Sequence, residues 1–429
     1  MWLISIIPIN KELTEPFAEA LADFEITDLG FTVLRAKEPE ADTNIVLVNT
    51  GRMGNAELAA MINQLNANNP GVIGINEVLH KSDDTFADSL LREALKGTKE
   101  LVFTAKLQNF NDSTKQWQGI EHSDSIFLNF PHELNSVRYA EVGLENMFTH
   151  ERDFKTTRHF FSTANYRGEE MKFFASELVE IVAPEKVEKF MQRANEYEII
   201  NYIGNYEKFT TLDAYQVLNG EFDPASIKNK IVIMGYMGEN LQDEKFWDDY
   251  KYYTPLNKNY AGKTFPDMFE TVIYANIASQ ILNDNHIYVV SKNVDLLINI
   301  IICILNVIMF SALFHAAAVW WDVFSLVFTL VEIVAFMLGT ALVFSRYGIE
   351  INLNPSIVFV LLLGQFIELY YGLFKVALQK LSVKYMIASE ADKRDKLQKS
   401  MKNTTKNAMN DLMNLDLNRP NINTDLNSN

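Results

Sequence analysis

The sequence predicts an α/β domain with a mainly parallel sheet, then a three-helix membrane bundle and a helical tail. Two patterns carry this expectation. In the first 290 residues, short and continuously apolar runs such as 44–49 (NIVLVN), 72–75 (VIGI) and 230–235 (KIVIMG) alternate with helical stretches. Strands that are apolar along their whole length belong to sheets covered by helices on both faces. Between 294 and 376 three apolar runs of about 20 residues follow one another, each long enough to cross ~30 Å of hydrocarbon.

The elements follow in order. Residues 44–49 form the first strand. Residues 55–66 place Leu58, Met61, Ile62 and Leu65 on one helical stripe. A strand at 72–75 precedes a helix at 85–96, for which Asp83 or Asp84 is a suitable N-cap. A third strand is expected at 100–104. The stretch 107–165 is less regular, with strands near 137–142 and 159–162, and 169–194 reads as helical. The strand 230–235 ends in glycine. Residues 239–263 form a long polar and aromatic loop with Thr254-Pro255 and Gly262 as turn signals. A last helix at 266–282 carries Pro266 near its start. Strands joined through helices of these lengths imply right-handed crossovers.

The membrane helices are expected at 294–314, 320–344 and 356–376. From Lys375 to Lys406 there are nine Lys/Arg against three Asp/Glu, whereas the connections between the apolar runs carry only Arg346. Basic flanks stay in the cytoplasm, so the tail is cytoplasmic and three crossings place residues 20–290 outside. Residues 1–19 open with MWLISIIPI, which is apolar, too short to span and without a basic start. They read as the remnant of a transmembrane helix or as an interfacial anchor. Asn306, Glu332 and Glu368 lie 11 or 12 residues from the outer ends of their runs, at a common depth of roughly 17–18 Å. They form either a functional polar layer or interhelical hydrogen bonds that set register.

Composition narrows the function. The formal net charge is −17, and without a basic footprint nucleic acid is not expected as a partner. The one cysteine, Cys303, lies in the first apolar run, which excludes an internal disulfide. The seven histidines show no metal-ligand spacing. No Walker A, G-x-G-x-x-G, G-x-S-x-G or H-E-x-x-H sequence is present. Neither a metal, a cofactor nor catalysis is expected. In a parallel sheet ligands bind beyond the carboxyl ends of the strands. That rule nominates Asn49, Thr50, Asn76, Glu77, Gly235 and Tyr236, with the 239–263 loop.

The order of segments resembles the CHASE2 family of extracytoplasmic sensory domains of bacterial membrane receptors. The resemblance rests on the strand 45–49, the strand and Asp-rich helix at 72–76 and 83–95 (DDTFADSLLREAL), and 200–204 (INYIG) leading into 210–218 (TTLDAYQVL). It continues through 227–235, Thr254-Pro255 and 266–282 (PDMFETVIYANIASQIL), with three transmembrane helices after them. Two departures stand out: the family usually has Asp where this chain has Asn49 and Asn76, and Gly and His where it has Phe269 and Tyr274. The resemblance implies a domain at 20–290 in the bacterial periplasm, anchored in the inner membrane and sensing a ligand or envelope partner. Family members usually continue into a kinase or cyclase. Here the expected output is a basic juxtamembrane helix at 377–402, then a disordered Asn-rich tail at 403–429. The lipid bilayer is one partner, a cytoplasmic or membrane protein is expected at 377–429, and a homo-oligomer is a further expectation. The alternative is a structural or assembly subunit of an envelope complex.

Overall fold

The structure is a computed structural model that describes residues 25–35, 37–111, 116–128, 137–142, 156–195, 197–241, 250–257 and 265–416. The segment 1–19 and residues 417–429 lie outside the described residues, as do 242–249 and 258–264 of the long loop. The chain divides into two compact units, Met1–Asp295 with Ala335–Leu353, and Leu296–Val334 with Asn354–Asn429.

In the first unit the central sheet has nine strands. They are β1 (Asp42–Asn49), β2 (Val72–Ile75), β3 (Leu101–Asn111), β4 (Gln116–Glu121), β5 (Val137–Val142), β7 (Thr163–Tyr166), β8 (Glu169–Lys172), β10 (Phe209–Asp213) and β11 (Ile231–Gly235). The order is β10-β1-β11-β2-β3-β4-β7-β8, with β5 also on β3. From β10 through β3, and between β3 and β5, every pairing is parallel. Only β3 with β4 and β7 with β8 run antiparallel within it. Two-stranded pairs lie apart from it: β6 (His159–Phe161) with β9 (Tyr197–Ile199), and β12 (Lys251–Tyr252) with β13 (Met268–Phe269).

Alternation divides the core. Val46, Val48, Ile73, Ile75, Phe103, Val232 and Met234 pack with α1 (Asn55–Asn66), α2 (Thr85–Lys96) and α5 (Ala214–Asn219). Ile45, Leu47, Val72, Val102, Ile231 and Ile233 pack with α3 (Phe174–Val182), α4 (Pro184–Met191) and α6 (Glu270–Leu282) on the other face. Both faces are dry, which is why the strand runs are continuously apolar. The Asp84 carboxylate caps α2 by accepting from Phe86 N at 2.9 Å and Ala87 N at 3.2 Å. Asp213 and Gln216 form a capping box on α5, which Gly220 closes at φ +68°.

At Gly74 α3 comes close to the sheet. A Cβ there would stand 2.7 Å from Leu178 Cδ2 and 2.8 Å from Phe174 Cζ. Gly74→Ala is expected to cost about 1–3 kcal/mol by overpacking. A thermal melt of the full chain checks it, and an unchanged midpoint contradicts such close packing.

Four expectations are corrected. The helix expected over 169–194 begins with β8 and breaks at Ala183, because Pro184 has no N–H to donate and starts α4 instead. The strand at 100–104 extends to Asn111 by pairing with β4. The helix at 266–282 starts only at Glu270, since Met268 and Phe269 pair with β12. The tail is helical past 402: α10 (Lys375–Asp416) runs through 403–416, where Met409, Leu412 and Met413 are good helix formers.

The first unit ends in β14 (Tyr288–Val289), which pairs in parallel with β15 (Ile349–Glu350). β14 leads into α7 (Lys292–Ala316) and β15 follows α8 (Trp321–Tyr347); these two, with the continuous helical run Asn354–Met413 that opens with α9 (Asn354–Leu369), are three helices long and apolar enough to cross a membrane. In the second unit Asn299 Oδ1 accepts from Ser356 N at 3.0 Å and Ser356 Oγ at 2.6 Å, joining α7 to α9. Phe314 stacks on Tyr371 at 5.0 Å beside Trp321. Tyr370–Phe374, a π-helical turn, joins α9 to α10.

Candidate functional site

The six residues nominated at the strand ends do come together. The parallel register sets Asn49 opposite Gly235 and Asp213. Asn49 is fully buried and spends its whole side chain on protein. Its Nδ2 donates to Asp213 Oδ1 at 2.9 Å and to the Gly238 carbonyl at 3.1 Å, while its Oδ1 accepts from Gly51 N and Met237 N. The Thr50 hydroxyl donates to Glu77, whose carboxyl burial pushes above its ordinary range against the pull of that bond and of Lys106. Asn76 donates to Thr271 Oγ1 at 3.2 Å but leaves its buried Oδ1 without a partner. A Cβ on Gly235 would run into the same Thr271 hydroxyl. Tyr236 packs edge-on against Tyr250 and Phe269. Of the four residues that depart from the family pattern, the two aromatic ones are packing residues: Tyr274 is fully buried against Phe173 and Phe174, and Phe269 lies beneath Lys251. Thr254 of the Thr-Pro pair is clamped by Asp267, whose carboxylate accepts from Thr254 N at 2.8 Å and Oγ1 at 2.6 Å. Burial raises Asp267 to about 6.

Sequence reasoning missed a second locus at the opposite end of β1. A cavity of about 750 Å³ opens there, lined by Phe31, Arg35 and the approach to β1 from Lys37 to Asn44, by Ser279 and Asn283 at the end of α6, and by Phe344–Gly348 at the end of α8. It falls within the size range of small-molecule sites. Asp42 anchors one wall: Oδ2 accepts from Ser279 Oγ at 2.7 Å and Asn283 Nδ2 at 2.8 Å, and Oδ1 from Asn44 N. Arg35 lies over the Phe31 ring and donates to the Tyr202 carbonyl at 2.7 Å, while Phe31 packs edge-on against Phe344 at 5.1 Å. Ser345 Oγ donates to the Leu34 carbonyl.

Helix α6 links the two loci. Thr271 stands at its start beside Asn76 and Gly235, and Ser279 and Asn283 at its end beside Asp42. Between them Asn276 and Gln280 bind the backbone of the INYIG segment at Ile203, Gly204 and Asn201, and of Ile199 just before it. Polar positions 276, 279, 280 and 283 follow a helical spacing on a helix that is buried from Thr271 to Ile281. That stripe is the signal in the sequence from which the second locus was legible.

A buried ionic cluster adjoins the β14–β15 pair. Arg158 makes a two-pronged bond with Asp28, Nε to Oδ1 at 2.9 Å and Nη2 to Oδ2 at 2.6 Å, with Glu25 at 3.7 Å. Burial, with the charges of Glu25 and Asp295 added and Arg158 opposing, raises Glu350 from 4.5 to about 7. A raised carboxyl binds more protons in the folded chain than in the unfolded one, so its contribution to stability is lost as pH rises from about 4 through 7. Glu350→Gln is therefore expected to stabilise the chain at pH 8 by about 1–2 kcal/mol, allowing for partial exposure, and to do nothing near pH 4. Thermal melts at the two pH values check this. Equal shifts at both contradict it.

The three polar residues expected at one depth belong to the second unit. Asn306 is buried and donates to the Ile302 carbonyl at 3.1 Å, Glu332 turns a carboxylate oxygen inward, and Glu368 is exposed. Among the described residues no group of three or more His, Cys, Asp or Glu is placed to hold a metal.

No curated protein and no solved structure matches the chain. The CHASE2 domain model matches residues 22–315, more than half of the 429 residues. The match takes in the whole sheet, the helix α6 that joins both loci and nearly all of α7. The chain therefore belongs to the CHASE2 family, an extracytoplasmic sensory domain carried here on three candidate membrane-spanning helices.

Proposed function

We propose that the chain is a non-enzymatic bacterial membrane sensor whose CHASE2 domain detects a ligand or envelope partner and relays its state to a cytoplasmic partner. In this reading the domain faces the periplasm, the anchor lies in the inner membrane and the C-terminus is cytoplasmic. The observation that carries it is the placement of α6. One buried helix, about 20 Å long, is bonded at its start to the strand ends and at its end to Asp42 and the cavity wall. It then leads through β14 into α7, and β14 is paired with β15 after α8. A shift along α6 thus reaches the ends of two membrane helices without crossing a loose linker. Relay requires an element with two arrangements that both ends bias, and the β14–β15 pair is short enough to re-register.

Hydrogen exchange of the full chain in lipid nanodiscs tests the relay. Asp42→Asn weakens the hold on Ser279 and Asn283 by about 1–2 kcal/mol, which speeds exchange in α6 by about 5–30-fold. The reading expects a change at residues 370–390 as well. Altered exchange confined to residues before 292 counts against any relay.

The tail supports a docking role. From Leu378 to Met413 the side chains of α10 are exposed, Leu381, Ile387, Leu397 and Met401 among them. Among the described residues this 42-residue helix lacks the tertiary packing from which most protein helices draw their stability, so a partner has a face to cover. The same observation favours the second reading, a structural subunit of an envelope complex. Affinity purification in mild detergent, with and without residues 377–429, separates the two. A stoichiometric partner lost on truncation, together with unchanged exchange at 370–390, favours the subunit.

A further inference from the structure

We propose that the cavity at the amino end of β1 binds a phosphate-bearing group, carried either by a lipid headgroup or by a soluble molecule. This rests on the sensor reading and names the class of its ligand. The argument is one of unmatched donors. Each carboxylate on the wall already has its partners: Glu38 pairs with Lys208, Glu40 with Lys37, and Asp42 accepts three hydrogen bonds. The arginines do not. Arg346 is exposed and makes no ion pair among the described residues. Among the described residues Arg35 bonds only a neutral carbonyl, and burial lowers its guanidinium to about 10.

Two guanidinium forks suit the several oxygens of a phosphate. Phe31, Phe344 and Ile287 supply an apolar wall for whatever carries it, and about 750 Å³ is far more than a free phosphate needs. The rim formed by Phe344–Gly348 is the end of a membrane-spanning helix, the depth at which headgroups lie. In a chain of net charge −17, a donor-lined pocket of this kind selects against the surrounding charge rather than with it.

The test uses the full chain in nanodiscs. Phosphatidylglycerol mixed into phosphatidylcholine discs is the lipid probe, read by native mass spectrometry of retained lipid. Glycerol 3-phosphate, titrated calorimetrically in pure phosphatidylcholine discs, is the soluble probe. Arg346→Glu reverses an exposed charge and Thr43→Trp fills the mouth from an exposed position, so neither threatens the fold. Binding of either probe, weakened about tenfold or more in both variants, supports the proposal. Phosphatidylglycerol alone identifies a lipid source, and glycerol 3-phosphate a soluble one. Binding of neither probe, or binding that both variants retain, overturns it. Lack of binding with an intact exchange response at 370–390 removes the ligand class and leaves the sensor. Binding with no such response does the reverse.

Discussion

Replacing Arg158 by methionine is expected to destabilise the chain by about 3–5 kcal/mol, more than any other single change to the outer domain's polar groups. Arg158 and Asp28 are exposed by only 8% and 3%. Their two parallel bonds, at 2.9 and 2.6 Å, are what makes a buried carboxylate tolerable there. Methionine fills most of the volume and returns none of the charge, so Asp28 is left desolvated, with Glu25, a second carboxylate that Arg158 faced, close by. The pair also organises backbone, since Ile200 N donates to the Arg158 carbonyl and Thr157 N to the Tyr253 carbonyl. At about 2–4 °C per kcal/mol for a domain of this size, the melting midpoint falls by roughly 10 °C. The double variant Asp28→Asn, Arg158→Met removes both charges and recovers most of the loss, because the penalty lies in the orphaned ion. Equal midpoints for wild type and Arg158→Met would falsify this account. A double variant no better than the single one would move the cost to lost packing.

The parts of this fold that were legible in the sequence are those set by local pattern. The strand 72–75 and the helices 55–66 and 85–96 sit where the period and the Asp84 cap put them. Two-sided burial makes β1, β2 and β11 continuously apolar, and that signal is strong. β10 is weaker because it is an edge strand, paired only with β1, and its residues FTTLD offer two apolar side chains. β8 was lost to its helix-like residues EEMK, since pairing with β7 decides its state. The strand-end site was legible through topology, yet what each residue does there was not. That Asn49 bonds Asp213 across 164 residues is invisible without the fold. The cavity is less legible still: Arg35, Asp42, His286 and Phe344 share no spacing. For Glu368, counting along a helix gives depth but not the angle around the axis, and the angle decides whether it faces inward.

Asn49→Asp restores the residue usual in the family, and it is expected to destabilise this chain by about 3 kcal/mol at neutral pH. Asn49 gives two hydrogen bonds through Nδ2, to Asp213 Oδ1 and to the Gly238 carbonyl, and receives two through Oδ1. An aspartate keeps the received pair, from Gly51 N and Met237 N, and loses both given ones. It also sets a second carboxylate about 3 Å from Asp213, in a place with no exposed surface to relieve it. Two carboxylates this close share a proton, so the folded pKa rises above the unfolded value of about 3.9. The folded variant then binds more protons than the unfolded one, and its stability falls as pH rises from about 4 through the raised value. The defect is therefore small at about pH 4–5 and full at about pH 8, the reverse of ordinary acid denaturation. Adding Asp213→Asn to the same chain exchanges the roles across the bond. The new amide at position 213 gives to the new carboxylate at position 49. Its oxygen takes over the bonds that Asp213 now accepts from Leu241 N and from the first turn of α5. Recovery of about 1–2 kcal/mol is expected, read as denaturation midpoints across pH. A loss equal at the two ends of that pH range would mean that geometry, not the paired charge, is what position 49 enforces. A pH-dependent loss repaired by Asp213→Asn would mean that asparagine stands here because Asp213 occupies the acid's place on the neighbouring strand.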